Sequence, residues 1–253
     1  MSGMRVTTKL FIATPTADGI MLAGYVASLA ALLTRLHGQG IATEYATVDG
    51  QDLIVQRNLL AERFLASGCT HLLFVDSDML FPPDLAEKLL ACGKPLVGTV
   101  YPRRALDLSR LAALAPARGF DDALALAHDW NLRPLPGGVA VQGGLAQVEG
   151  LGGGFLLIRR AVFERMLEAG DVPGEAAPGG REARAFFHET REGDEIFDLD
   201  YSFCRRWIAL GGEVWALIEA DVRHIGDWRH APPFAAFLRA LGPAPATPGA
   251  KAG

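Results

Sequence analysis

The feature that most constrains this chain is the run His71-Leu72-Leu73-Phe74-Val75, which stops at Asp76-Ser77-Asp78. Successive side chains of a strand point to opposite faces, so an uninterrupted apolar strand needs cover on both. A mainly parallel sheet with helices on each side supplies that cover. The surrounding pattern agrees with it. Strands are expected over residues 10–14, 41–48, 96–100, 155–158 and 214–218, and helices over 24–37, 53–66, 161–169 and 198–210. Val26, Leu29, Leu33 and Leu36 mark the apolar stripe of the first helix, which should end at Gly38. Pro82-Pro83-Asp84 leads into a further helix, with Asp84 and Glu87 at capping-box spacing. Strand–helix alternation of this kind argues for a single α/β domain with a doubly wound core.

The alternation weakens over residues 103–147, where Ala- and Leu-rich pieces are broken by Pro134, Pro136 and several glycines. This stretch reads as an irregular insertion with some helix near 121–127 and a hairpin near 139–148. Residues 171–184, rich in Gly, Pro, Glu and Ala, read as a mobile loop. The domain is expected to span 1–241, with 242–253 a disordered Pro/Ala/Gly-rich tail.

Composition narrows the partners. Half of the 253 residues are hydrophobic and the net charge is −5, so there is material for a core but no basic stripe of the kind phosphate contacts require. Nucleic acid is excluded as the expected partner. No apolar run approaches the roughly 20 residues that span a bilayer, although a peripheral membrane contact stays open. The start of the chain lacks a secretory signal pattern, and Cys69, Cys92 and Cys204 are too scattered for a disulfide framework or zinc site. A cytoplasmic setting is expected.

In open α/β sheets, ligands bind outside the carboxyl ends of the strands. Asp76 and Asp78 fall there, and adjacent carboxylates need a cation or hydrogen-bond donors to offset their repulsion. A hard divalent ion, Mg²⁺ or Mn²⁺, fits that role. The alternative is a strand-to-helix turn whose Asp side chains bond nearby N–H groups. Likewise, Asp198 and Asp200 suit the start of a helix as cap and dipole partner, and Phe203, Trp207 and Trp215 suit packing positions.

Taken in order, several segments are similar to the GT-A glycosyltransferases, and specifically to bacterial and phage enzymes resembling glycosyltransferase family two. They are Arg57-Asn58, the strand ending Asp76-Ser77-Asp78-Met79, Tyr101-Pro102-Arg103-Arg104, Gly152-Gly153-Gly154-Phe155, Asp198-Leu199-Asp200-Tyr201-Ser202-Phe203-Cys204 and Val222-Arg223-His224-Ile225-Gly226. The resemblance covers about residues 10–226, apart from the insertion. It implies a GT-A fold, in which Asp78 binds the cation bridging a donor diphosphate. Asp76 reaches the donor ribose or supports the metal, and His224 completes the site. An imidazole ligand leans the choice toward Mn²⁺. Asp200 is implied as the base that deprotonates an acceptor hydroxyl. Leu199 stands where the family usually has Glu, which keeps Glu195 and Asp198 open for that role. Thr14, Pro15 and Asp49 fall where the family holds the nucleotide, Arg57 belongs to the same donor side, and Arg103 and Arg104 are candidates for diphosphate oxygens. Gly152–Gly154 would let an acceptor sugar approach the backbone, with ordinary turn glycines as the alternative, and Trp228, in a polar stretch, is a candidate to stack on a sugar.

The expected reaction is transfer of a sugar from a nucleotide-diphosphate sugar to a glycan or other hydroxyl acceptor, with inversion. One rival is a sugar nucleotidyltransferase, which would carry a basic glycine-rich loop where this chain has Thr14-Pro15-Thr16-Ala17-Asp18-Gly19. A dehalogenase-type phosphatase would place Asp-x-Asp on its first strand. A catalytically inactive nucleotide-sugar- or glycan-binding protein is the third.

Overall fold

The computed structural model describes residues 7–177 and 181–226. The proposed tail 242–253, the last part of the expected domain and Trp228 lie outside the described residues. In chain order the elements are β1 (Lys9–Thr16), α1 (Ala23–Gly38), β2 (Ala42–Asp49), α2 (Leu53–Ala66), β3 (His71–Val75), β4 (Met79–Leu80), α3 (Leu85–Ala91) and β5 (Leu96–Thr99). The middle of the chain gives β6 (Pro102–Leu106), α4 (Leu108–Arg118), α5 (Phe120–Ala127), β7 (His128–Trp130), β8 (Leu132–Pro134), β9 (Val141–Gln142) and β10 (Leu145–Leu151). Then follow β11 (Phe155–Arg159), α6 (Arg160–Glu168), β12 (Gly174–Ala177), β13 (Arg181–Arg184), β14 (Thr190–Glu192), β15 (Glu195–Phe197), α7 (Leu199–Ala209), β16 (Val214–Leu217) and β17 (Arg223–His224).

The fold is mixed α/β. Its central sheet runs in the order β2-β1-β3-β11-β5-β16-β10-β8, with β9 also paired to β10. β2, β1 and β3 are parallel, as are β5 and β16, while β11 lies antiparallel between β3 and β5 and β10 runs against β16 and β8. The sheet is therefore largely parallel in direction, with β11 reversed at its centre. That reversal brings Gly152–Gly154, which precede β11, to the edge where β3 delivers Asp76.

β3 is buried as its sequence demands, and its alternate residues divide between two cores. Leu72 and Phe74 pack with Leu60, Ala61 and Phe64 of α2, Phe163 of α6 and Phe203 of α7. Leu73 and Val75 pack with Leu29, Leu32 and Leu36 of α1 and Leu85 and Leu89 of α3. Each buried side chain of this kind contributes about 1.5–3 kcal/mol. Helices thus cover both faces.

Three local readings need correction. The buried stripe of α1 is Tyr25-Leu29-Leu32-Leu36, rotated from the expected one, and Val26 is 49% exposed. Tyr25 faces inward because its hydroxyl meets that of Thr14. No capping box forms at α3: Asp84 makes no side-chain cap and pairs with Lys88 at 2.9 Å, while Glu87 pairs with Arg35 at 2.6 Å. β1 continues past residue 14 to Thr16, because its ladder with β2 runs on to Thr16↔Asp49 after that with β3 ends at Ala13↔Phe74. With a neighbour on one side only, Pro15 is tolerated despite its missing N–H.

The stretch 103–147 contains more order than its sequence pattern indicates. α4 buries none of its residues and holds Pro116, so apolar periodicity had nothing to mark. β9 and β10 pair across Gly143-Gly144, both at positive φ, as a two-residue hairpin turn favours. In the segment 171–184, β12 and β13 pair antiparallel. Among the described residues no helix is long and apolar enough to cross a membrane, and all three cysteines are free.

Candidate active site

The carboxyl ends of β1, β2 and β3 meet the start of β11 and the first turn of α7. Asp76 donates its backbone N–H to the carbonyl of Gly154 (3.0 Å), which extends the β3–β11 ladder by one bond. Its carboxylate lies 3.3 Å from Nη2 of Arg57. Arg57 sits in α2, a helix started by Asp52, whose side chain accepts from the N–H groups of Ile54 and Val55. It is fully buried. Its guanidinium lies over Phe74 (4.9 Å to the ring centroid), donates to the Gly153 carbonyl (3.3 Å), and meets Asp200 through Nε at 3.2 Å. Burial disfavours its charge, but Asp200 and then Asp76 outweigh that and raise its affinity for the proton.

Asp200 lies in the first turn of α7, which is capped by Asp198 accepting from Tyr201 N–H at 2.9 Å. The side chain of Asp200 is 14% exposed and accepts from Gly153 N–H at 2.7 Å. Burial pushes its carboxyl up to about 6, against the pull of Arg57 and with a further push from Asp76. Asp76, Arg57 and Asp200 therefore form one chain of charge, with a single buried cation between two carboxylates.

Asp78 has a different set of partners. β17 pairs antiparallel with β4 in the register His224↔Met79, and Ile225 N–H donates to the Asp78 carbonyl at 3.0 Å. This pairing brings the His224 Nε2 within 3.4 Å of the Asp78 carboxylate, from 146 positions further along the chain. Arg104 reaches between them: its Nη2 contacts Asp78 and its Nε donates to His224 Nε2 at 3.0 Å. Gly226 makes room for this arginine, since a Cβ there would lie 2.7 Å from Arg104 Cδ. Asp78 Oδ1 and His224 Nδ1 are buried without a hydrogen-bond partner.

The expected metal set Asp76, Asp78 and His224 is thus divided. Asp78 and His224 come together, while Asp76 turns to Arg57, and among the described residues no three His, Cys, Asp or Glu side chains gather as a metal-binding group. Arg103 and Arg104 also part. Arg104 stands at Asp78, whereas Arg103 points toward α7, donating to the Tyr201 hydroxyl at 3.1 Å and pairing with Asp198 at 3.6 Å. Thr14 and Pro15 are buried, the Thr14 hydroxyl on Tyr25. Asp49 is exposed at the end of β2 and accepts from Gly19 N–H at 2.6 Å. Glu195, the open alternative to Asp200, is in β15 and pairs with Arg133 at 2.6 Å.

Two residues with no part in the sequence-based site hold it together. Tyr101 is buried and its hydroxyl accepts from Gly154 N–H at 2.8 Å. Asn131, 2% exposed, accepts from Tyr101 N–H at 2.7 Å and donates to the Thr99 carbonyl at 3.1 Å, and its own carbonyl accepts from Gly152 N–H at 2.9 Å. The glycine run is needed because these side chains and Arg57 press against it: a Cβ at Gly153 would come within 2.5 Å of Arg57 Nη2, and one at Gly154 would clash with the Tyr101 hydroxyl. Gly154→Ala is accordingly expected to cost about 1–3 kcal/mol through overpacking. A melting temperature equal to that of the wild type would contradict this.

No protein-family profile and no curated protein matches the sequence. Solved structures give distant likenesses. A197 from STIV is 16% identical over 87% of this chain and 86% of its own, with a TM-score of 0.47. A Drosophila galactosyltransferase mutant in complex with manganese, UDP-Gal and xylobiose is 14% identical over 92% of this chain and 79% of its own, with a TM-score of 0.43. UDP-glucose pyrophosphorylase complexed with UDP-glucose is 8% identical over 85% of this chain and 92% of its own, also at 0.43. Nothing about the chemistry of this chain follows from likenesses at that level.

Proposed function

We propose that this chain is a divalent-metal-dependent glycosyltransferase of GT-A type, similar to the family-two enzymes its motifs resemble, acting in the cytoplasm. It would transfer a sugar from a nucleotide-diphosphate sugar to an acceptor hydroxyl with inversion. The observation that carries this reading is the convergence at one sheet edge of Asp78 with His224 and of Asp76 with Asp200 through Arg57.

Asp78 and His224 would hold a cation in the place Arg104 takes here: its guanidinium bonds the atoms of both that face each other and would turn outward, and each residue keeps a further buried polar atom without a partner among the described residues. Carboxylate with imidazole favours Mn²⁺ over Mg²⁺. A bound divalent ion would offset the negative charge that builds on the departing diphosphate. Arg104 is the arginine suited to diphosphate oxygens, being 57% exposed and next to Asp78. Asp49 is the exposed carboxylate for ribose hydroxyls or the base, at the end of the ladder in which buried Thr14 and Pro15 pair with β2. Asp200 is the base. A carboxylate held near 6 accepts a proton more readily than an ordinary one, yet is ionised at neutral pH. Arg57 orients it and Asp198 serves the helix cap.

Thermal unfolding with UDP, GDP, CDP or dTDP, with and without Mn²⁺, tests the donor side. A ligand specific to the folded state adds about 2.7 kcal/mol at a hundred times its dissociation constant. One diphosphate is expected to raise the transition only with metal, and Asp78→Ala to abolish that rise. A transition indifferent to all four nucleotides would remove the donor reading. Metal-dependent nucleotide binding without turnover on any acceptor would leave an inactive binding protein. Retention of anomeric configuration in the product, read by NMR, would overturn inversion.

A further inference from the structure

We propose that the groove built by β6, β7 and β8 beside α7 is the acceptor subsite, and that it takes a saccharide; the word acceptor rests on the transferase reading, the saccharide does not. The groove has a volume of about 870 Å³ and is lined by Arg103, Arg110, His128, Asp129, Trp130 and neighbouring aliphatic side chains. That is within the range of about 300–1,000 Å³ usual for small-molecule sites. Arg103, in its lining, bonds Tyr201, the residue after the candidate base. A ligand lying along it would bring one end toward Asp200.

Trp130 is the main observation. It is 42% exposed, yet its ring is held, because Nε1–H donates to the Ala125 carbonyl at 3.0 Å. Asn131, the next residue, is tied to Tyr101, Thr99 and Gly152 at the centre of the site. The indole is thus an apolar surface fixed in position relative to the candidate base, at little further entropic cost on binding. Beside it stand Arg110 and Asp129, both exposed, and neither has a side-chain hydrogen bond or ion pair among the described residues. A guanidinium fork offers donors and a carboxylate offers acceptors, the pair that vicinal hydroxyls on a ring can satisfy together. Their charges cancel, and Arg103 is offset by Asp198, so the groove as a whole does not select an anion. An apolar plate flanked by a donor fork and a carboxylate matches a pyranose, with its C–H face and its equatorial hydroxyls. It does not match a lipid chain, for which the polar pair would be left unbonded.

The test uses the full chain, wild type and the variants Trp130→Ala and Arg110→Gln, on a printed array of mono- to tetrasaccharides of hexoses, N-acetylhexosamines and hexuronates. Retained saccharides are then titrated by intrinsic fluorescence. At least one saccharide class is expected to bind the wild type, and each variant to weaken it at least tenfold. Arg110 is exposed and unpaired among the described residues, so Arg110→Gln should leave thermal unfolding unchanged, and both variants should keep any metal-dependent nucleotide shift. Binding that is indifferent to both substitutions would overturn the assignment, as would an array on which the wild type retains nothing. If saccharide binds at Trp130 but no nucleotide shifts the protein, the groove stands and the transferase reading falls.

Discussion

Asp200→Asn is expected to lower turnover by about 10²–10⁴-fold, the range for loss of a general base, while nucleotide binding is kept. The wild-type rate should rise with pH through about 6, where burial and the neighbouring Asp76 set the Asp200 carboxyl, and then level off. The Asn variant should lack that limb. The same group acts on stability with the opposite sign. Its folded value lies above its ordinary 3.8, so between these values the native state binds more protons than the unfolded one. The stability it contributes is present in acid and lost as pH rises through about 6. Initial rates and urea midpoints measured over the same buffers test both halves. A variant within threefold of wild type at all pH values would remove Asp200 from the role of base, and Glu195→Gln would be the next substitution to make.

The largest stability effect is expected at Arg57. Replacing it by Met fills similar volume but strands Asp200 and Asp76 without their common cation. Breaking a buried pair from one side costs about 3–5 kcal/mol. Arg57→Lys should recover only part of this, because one ammonium cannot reach Asp76, Asp200 and the Gly153 carbonyl as a fork does. Urea unfolding of Arg57→Met, Asp200→Leu and the double variant makes a cycle in which the double should lose less than the two singles together. Strict additivity, or a loss under about 1 kcal/mol, would mean that Arg57 is held by packing rather than by charge.

What could be read from the sequence follows from physical range. β3 and its terminal carboxylates were legible because an uninterrupted apolar strand ending in two acids is a local pattern. The Asp198 cap was legible for the same reason, a fixed spacing to the N–H it accepts from. The meeting of Asp78 with His224, by contrast, is expected only through the resemblance, because the β4–β17 pairing that makes it, two residues of strand at each end, has no local signature. Arg103 and Arg104 are equivalent in sequence and opposite in destination, because neighbours on a strand point to opposite sides. Asn131 has no local signature: its amide bonds backbone that folds against it from thirty residues away. The glycine run was visible, but its cause was not. It makes room for the protein's own Arg57 and Tyr101, where an acceptor sugar had been expected.

Because Arg57 is shared, Asp76 and Asp200 are not independent. Whatever neutralises Asp76 removes a repulsion from Asp200 and leaves it a larger share of the guanidinium, so Asp200 must release its proton more easily. Linkage requires the reverse as well: with Asp200 ionised, that same ligand at Asp76 binds more tightly, by an equal free energy. On the proposed reading, a donor that neutralises Asp76 would prepare Asp200 to receive the acceptor's proton. The coupling needs no moving part, only one charge divided between two acids.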